Sequence, residues 1–89
     1  MVTSIILLNI KRNKVNEVAE QLTEMKGISE VYSVTGNYDL VVIARVKTND
    51  ELADLVTNSF VKIEGIEKTD TMLAFKSYSK HDLDAMFSI

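Results

Sequence analysis

KGISEVYSVTGNYDLVVIARV, residues 26–46, reads as two strands folded back on each other, and the segments that flank it decide the fold. Gly27 closes whatever precedes it, and Ile28 to Thr35 has the Ile, Val and Tyr content of a strand. Gly36-Asn37 predicts a tight turn, because both residue types tolerate the positive φ that such turns need. Tyr38–Val46 is the returning strand.

Upstream, Val15, Val18, Ala19, Leu22 and Met25 fall on one stripe at helical spacing, which predicts a helix over residues 14–26 with Asn13 as its N-cap. Residues 2–10, rich in Ile, Leu and Val, form a strand before it. Downstream, Thr48-Asn49-Asp50-Glu51 matches a capping box. It opens a helix that runs to about Lys62 and buries Leu52, Leu55, Val56, Ser59 and Phe60. Gly65 ends this unit, and Ile66–Tyr78 is the last core strand. The domain therefore covers residues 1–78. Residues 79–89 are a C-terminal extension, in which Ser79-Lys80-His81-Asp82 caps a short helix carrying Leu83, Met86 and Phe87.

The order is β-α-β-β-α-β, and the two halves match. Lys26-Gly27-Ile28 and Glu64-Gly65-Ile66 stand at the same helix-to-strand turn in each. Two split βαβ units of this kind make an α+β, ferredoxin-like fold: one four-stranded antiparallel sheet with two helices on one face.

Eighty-nine residues allow one core of marginal size, so further stabilisation has to come from packing or association. Cysteine is absent, which removes disulfides and thiolate chemistry. Ile5 to Leu8 is too short to span a bilayer, and no basic leader precedes it, so a cytoplasmic protein away from membranes is expected. A net charge of -3 argues against direct DNA binding, which calls for a basic face. Lys11-Arg12-Asn13-Lys14 is a small solvated turn.

Three strands are apolar on both faces: Ile5-Ile6-Leu7-Leu8, Leu40-Val41-Val42-Ile43-Ala44 and Met72-Leu73-Ala74-Phe75. An antiparallel sheet with one wet face alternates instead. Two helices cover one side only, and the residues after Tyr78 are too few to cover the other. A second copy is the partner the pattern supplies, giving a homodimer packed sheet to sheet.

For catalysis the chain is thin. His81 stands alone, so no His-based metal cluster exists, and no phosphate loop or nucleophile motif is present. Glu17, Glu20 and Glu24 read as a solvated helix face. Catalytic residues, metal and cofactor are all expected to be none. Two places carry binding chemistry. Thr35-Gly36-Asn37-Tyr38-Asp39 puts a carboxylate at the head of an apolar strand, where Asp is disfavoured; Asp39 either caps the turn or meets a ligand's ammonium group. In Glu67-Lys68-Thr69-Asp70-Thr71, the hydroxyls of Thr69 and Thr71 share one strand face.

Those same stretches, Thr-Gly-x-Tyr-Asp followed by Leu40-Val41-Val42 and then Ile63 to Thr71, resemble the amino-acid-sensing (RAM) domain of the leucine-responsive/asparagine-type (Lrp/AsnC) transcription regulators. The resemblance spans about residues 2–78. It implies dimerisation through the sheets in an α/β-barrel-type assembly, and a further ring of dimers. It also implies a free amino acid or related small molecule bound between dimers, near Gly36, Asn37, Tyr38 and Asp39, with Thr69 and Thr71 as weaker candidates. Family regulators carry a helix-turn-helix domain before the first strand, where this chain has a single residue. The chain thus resembles the stand-alone members, expected to act in transcription regulation without direct DNA contact, alone or co-assembled with a full-length family regulator.

The alternative is a small cofactor-free, oxygenase-like enzyme on a dimeric scaffold of the same fold, since fold does not dictate function. Such an enzyme needs a pocket between sheet and helices lined by His, Asn or Trp. The helix stripes here are Val, Leu, Ala and Met, and Trp is absent, which points to a filled core. A ligand-free assembly factor is the third reading.

Overall fold

In the computed structural model, which describes residues 1–78 and Lys80, burial alternates along β1 (Val2–Ile10): Ser4, Ile6, Leu8 and Ile10 are buried and the residues between them half-buried. β3 (Leu40–Val46) alternates in the same way, with Leu40, Val42, Ala44 and Val46 inward. With β2 (Ile28–Ser33) and β4 (Ile66–Leu73), these strands form one antiparallel sheet in the order β2-β3-β1-β4. The register sets Ile6 opposite Val42 and Leu8 opposite Leu40, so the inward residues of the two central strands make one continuous surface.

Both helices lie on that surface. α1 (Val15–Thr23) contributes Val18 and Leu22, and the second helical segment, which begins as α2 (Asn49–Asp54), contributes Leu52, Leu55 and Phe60. Each fully buried side chain of this kind stabilises the fold by about 1.5–3 kcal/mol. Ser4 is the buried polar residue, and its hydroxyl donates to the Met72 carbonyl at 2.7 Å, so nothing is left unsatisfied there. The ferredoxin-like α+β fold is thus the one the repeat predicts.

The element boundaries differ in instructive ways. Asn13 is not an N-cap. The Lys11 N–H donates to the Gly65 carbonyl at 2.9 Å, which ties the chain leaving β1 to the other half-repeat. Residues Arg12–Lys14 then make a 3-10 turn, and α1 begins at Val15 with no side-chain cap. The helix ends at Thr23, short of residue 26.

The hairpin does not close through a two-residue Gly36-Asn37 turn. β2 stops at Ser33 and β3 starts at Leu40, with Val34–Asp39 forming a wider loop closed by the Val34 N–H to Asp39 carbonyl bond at 3.0 Å. Only Gly36 in this loop takes a positive φ, at 107°. The cause is Asp39, whose N–H donates to the Leu8 carbonyl at 2.9 Å and draws that end of the loop onto β1.

The capping box is present with one variation. Thr48 Oγ1 accepts from the Glu51 N–H at 3.1 Å, while Glu51 Oε2 accepts from Lys47 N–H, one residue before the cap, at 3.0 Å. The helix widens into a π turn over Leu55–Ser59 and tightens into a 3-10 turn over Phe60–Lys62. Val56 and Ser59 are half-buried, where burial was expected. β4 ends at Leu73, short of Tyr78. His81 and the predicted helix bearing Leu83, Met86 and Phe87 lie outside the described residues.

Candidate functional site

Asp39 is where the loop is anchored. Its Oδ2 accepts from the Ile10 N–H at 2.7 Å, beside the bulge between Asn9 and Ile10 where β1 loses register with β4. A carboxylate taking up a backbone N–H that the irregular ladder leaves free is a strong, charge-assisted contact. Asn9 Nδ2 donates to the Asn37 carbonyl at 2.7 Å, a second tie between β1 and the loop. Gly36 and Asn37 are exposed, and Tyr38 and Asp39 half-buried. Among the described residues, the N–H groups of Gly36, Asn37 and Tyr38 have no protein acceptor, and Asp39 Oδ1 has no donor.

Tyr38 joins the two motifs. Its hydroxyl donates to Asp70 Oδ2 at 2.9 Å. The hydrogen bond to Asp70, and then that group's charge, raise the phenol above its ordinary 10.0. A raised value means the contact is fully present below 10.0 and is lost only as pH rises through the raised value. At neutral pH the Tyr38 hydroxyl therefore stays protonated and donates the hydrogen bond to Asp70.

Thr69 and Thr71 do share a strand face, but it is on the helix side of the sheet: they pair with Leu8 and Ile6, with Thr69 half-buried and Thr71 exposed. Asp70 pairs with Leu7 and therefore stands on the open face, as does Lys68 opposite Asn9. The structure thus brings together Gly36, Asn37, Tyr38 and Asp39, and sets Thr69 and Thr71 on the far side of β4 from the Tyr38–Asp70 contact. Asp70 and Asn9 also bond to this loop, and the sequence reading does not single them out. Asp70 lies inside the quoted motif, but strand parity alone does not say which of its residues meets the hairpin loop.

The open face itself has an apolar centre. Ile5 faces Ile43 and Leu7 faces Val41 across β1 and β3, with Met72 beside Ile5 on β4. Met72 is 44% exposed. On the β2 side, Tyr32 donates to Glu30, and Arg45 Nη1 lies 3.7 Å from Glu30 Oε1. The centre is apolar and the edges polar, the distribution found at interfaces between subunits.

The fold and the loop define a class: a ferredoxin-like α+β domain with a donor-rich hairpin at one end of its sheet and an apolar sheet face that the other described residues leave open. The chain belongs to the Lrp/AsnC ligand binding domain family, whose sequence model matches residues 3–83. It is 38% identical over 79 residues to the HTH-type transcriptional regulator FL11 of Pyrococcus furiosus, a match covering 89% of this chain and 52% of FL11. FL11 of Pyrococcus abyssi is 40% identical, with 84% of this chain and 49% of that protein covered. The chain spans about half the length of the curated relatives it matches. Among solved structures, TTHA0845 from Thermus thermophilus superposes with a TM-score of 0.84 at 42% identity, over 90% of this chain and all of that one. No helix among the described residues is long and apolar enough to cross a membrane.

Proposed function

We propose that this chain is an effector-binding module that takes a free amino acid at the Val34–Asp39 loop, works as an oligomer, and serves transcription regulation in the cytoplasm. The observation that carries the reading is the loop itself. Unpartnered N–H groups of Gly36, Asn37 and Tyr38 suit an α-carboxylate, and the free Oδ1 of Asp39 suits an α-ammonium. The Asp70–Tyr38 contact holds the loop in this shape before any ligand arrives. Membership of a ligand-binding family whose relatives are transcriptional regulators supports the same conclusion.

The oligomer follows from the open face. Ile5, Leu7, Val41, Ile43 and Met72 form one apolar surface that no part of the described chain covers. A second copy packed face to face buries it, and a ring of such dimers then brings the hairpin loops to the junctions between dimers. Thr69 and Thr71, on the helix side, reach a ligand only if it is seated at such a junction. A full-length family regulator is a further partner, through the same surfaces.

The test is a calorimetric titration of the common L-amino acids into the 89-residue chain. Saturable binding that weakens in Asp39→Asn supports the proposal; binding unchanged by that substitution, or no heat from any of them at millimolar concentration, overturns it.

A further inference from the structure

At the end of the sheet opposite the Val34–Asp39 loop lies a cleft of about 720 Å³, within the size range of small-ligand sites. β3 separates the two: Leu40 adjoins the loop, and Val46 lines the cleft. Val46 and Leu55, both buried, give the cleft an apolar floor. Lys26, Arg45 and Lys47, on the turn after α1 and at the end of β3, supply cationic groups; Asp50, Glu51 and Asp54, on α2, supply anionic ones.

The ion pairs among the described residues are Lys14–Glu17 and Arg45–Glu30. Arg45 is thus committed to Glu30, Glu51 accepts from the Lys47 N–H and Asp54 from Asn58 Nδ2, while the side chains of Lys26, Lys47 and Asp50 have no partner among the described residues. The α2 segment also departs from regular helix here, for the π turn spans Leu55–Ser59 and both its end residues line the cleft. Such turns give up regular helical bonding and concentrate at functional sites.

An anion would be repelled by Asp50 and Asp54, and a polyamine by Lys26 and Lys47. A molecule with opposite charges at its two ends and a short apolar body satisfies both sets and covers the floor. We infer that this cleft is a second binding site, specific for a small zwitterion of the amino-acid kind and separate from the loop site proposed above.

The test is amide NMR on the isotope-labelled full chain, titrated with a mixture of the common L-amino acids at millimolar concentration. Gly27 and Ser59 should shift in wild type and in Asp39→Asn alike. In the double variant Lys26→Glu, Lys47→Glu their apparent affinity should fall at least about tenfold, as for loss of one charge-assisted contact. Any response at Gly36 to Asp39 should persist there. Both lysines are exposed, so the variant should keep the wild-type spectrum elsewhere.

Unmoved Gly27 and Ser59 amides would overturn the inference, whatever the loop does. Shifts produced equally by inorganic phosphate alone would overturn it too. So would changes at Gly27 and Ser59 caused by Phe87→Ser without added amino acid, because the cleft would then belong to the chain's own C-terminal residues. Movement at the cleft with none at the loop supports this inference and defeats the loop proposal, so the two fail separately.

Discussion

Asp39 commits one carboxylate oxygen to the fold, and the binding role proposed for it needs the other. Oδ2 is committed to the Ile10 N–H, and Oδ1 has no donor among the described residues. Asp39→Asn keeps an oxygen for Ile10, so the fold should survive with a loss of about 1 kcal/mol as a charge-assisted bond becomes neutral. Amino-acid affinity should fall by roughly ten- to a hundredfold if Oδ1 meets the ammonium group. Calorimetric titration alongside circular dichroism separates the effects, and equal affinities would leave Asp39 as a loop anchor only. Gly36 and Gly65 make a second comparison at this scale. Both have positive φ, 107° and 110°. A Cβ on Gly36 would meet open space, whereas on Gly65 it would lie 3.0 Å from Lys14 Cβ and 3.1 Å from Val18 Cγ2. Gly36→Ala should therefore cost about 1 kcal/mol from backbone strain alone. Gly65→Ala should cost clearly more, since α1 must also move, and chemical denaturation of the two variants measures the difference.

At the scale of elements, the central strands carry two surfaces with separate duties. Val42 on β3 is fully buried beneath the helices, while its neighbour Ile43 is half-buried on the open face. Val42→Asp buries an unpaired carboxylate in the protomer core and should abolish folding. Ile43→Asp should leave a folded protomer and break the association. Circular dichroism and size-exclusion chromatography on both variants check this; a folded, fully associated Ile43→Asp protein would remove the sheet face from the interface. The second helical segment shows a different division. Thr48 fixes its start through the Glu51 N–H, but nothing local marks its change to a π turn at Leu55.

For the whole molecule, the apolar face that no described residue covers should make the protein at least a dimer at micromolar concentration. Light scattering that returns a 10.0 kDa particle would contradict this. With a formal net charge of -3 the chain is acidic overall, so the 89-residue chain alone should give no discrete, salt-resistant complex in a gel shift. Retardation that appears only with a full-length relative added would point to co-assembly.

What the sequence by itself determined is whatever rests on period and on special residues. Strand and helix order follows from apolar spacing, the half-repeats from Gly27 and Gly65, the start of α2 from Thr48 and Glu51, and the doubly apolar character of β1 and β3 from their unbroken runs. These are local properties, legible because neighbours along the chain set them. Tertiary structure decided the rest. Parity cannot say which face of a strand meets the helices, so Val42 and Ile43, or Thr69 and Asp70, were interchangeable until register and helix placement assigned them. Asn13 lost its capping role because Lys11 bonds to Gly65, far along the chain. The tight turn became a loop because Asp39 bonds to Leu8 and Ile10 on β1. In each case a long-range hydrogen bond outweighed a local preference, and no local pattern records where such a bond will form.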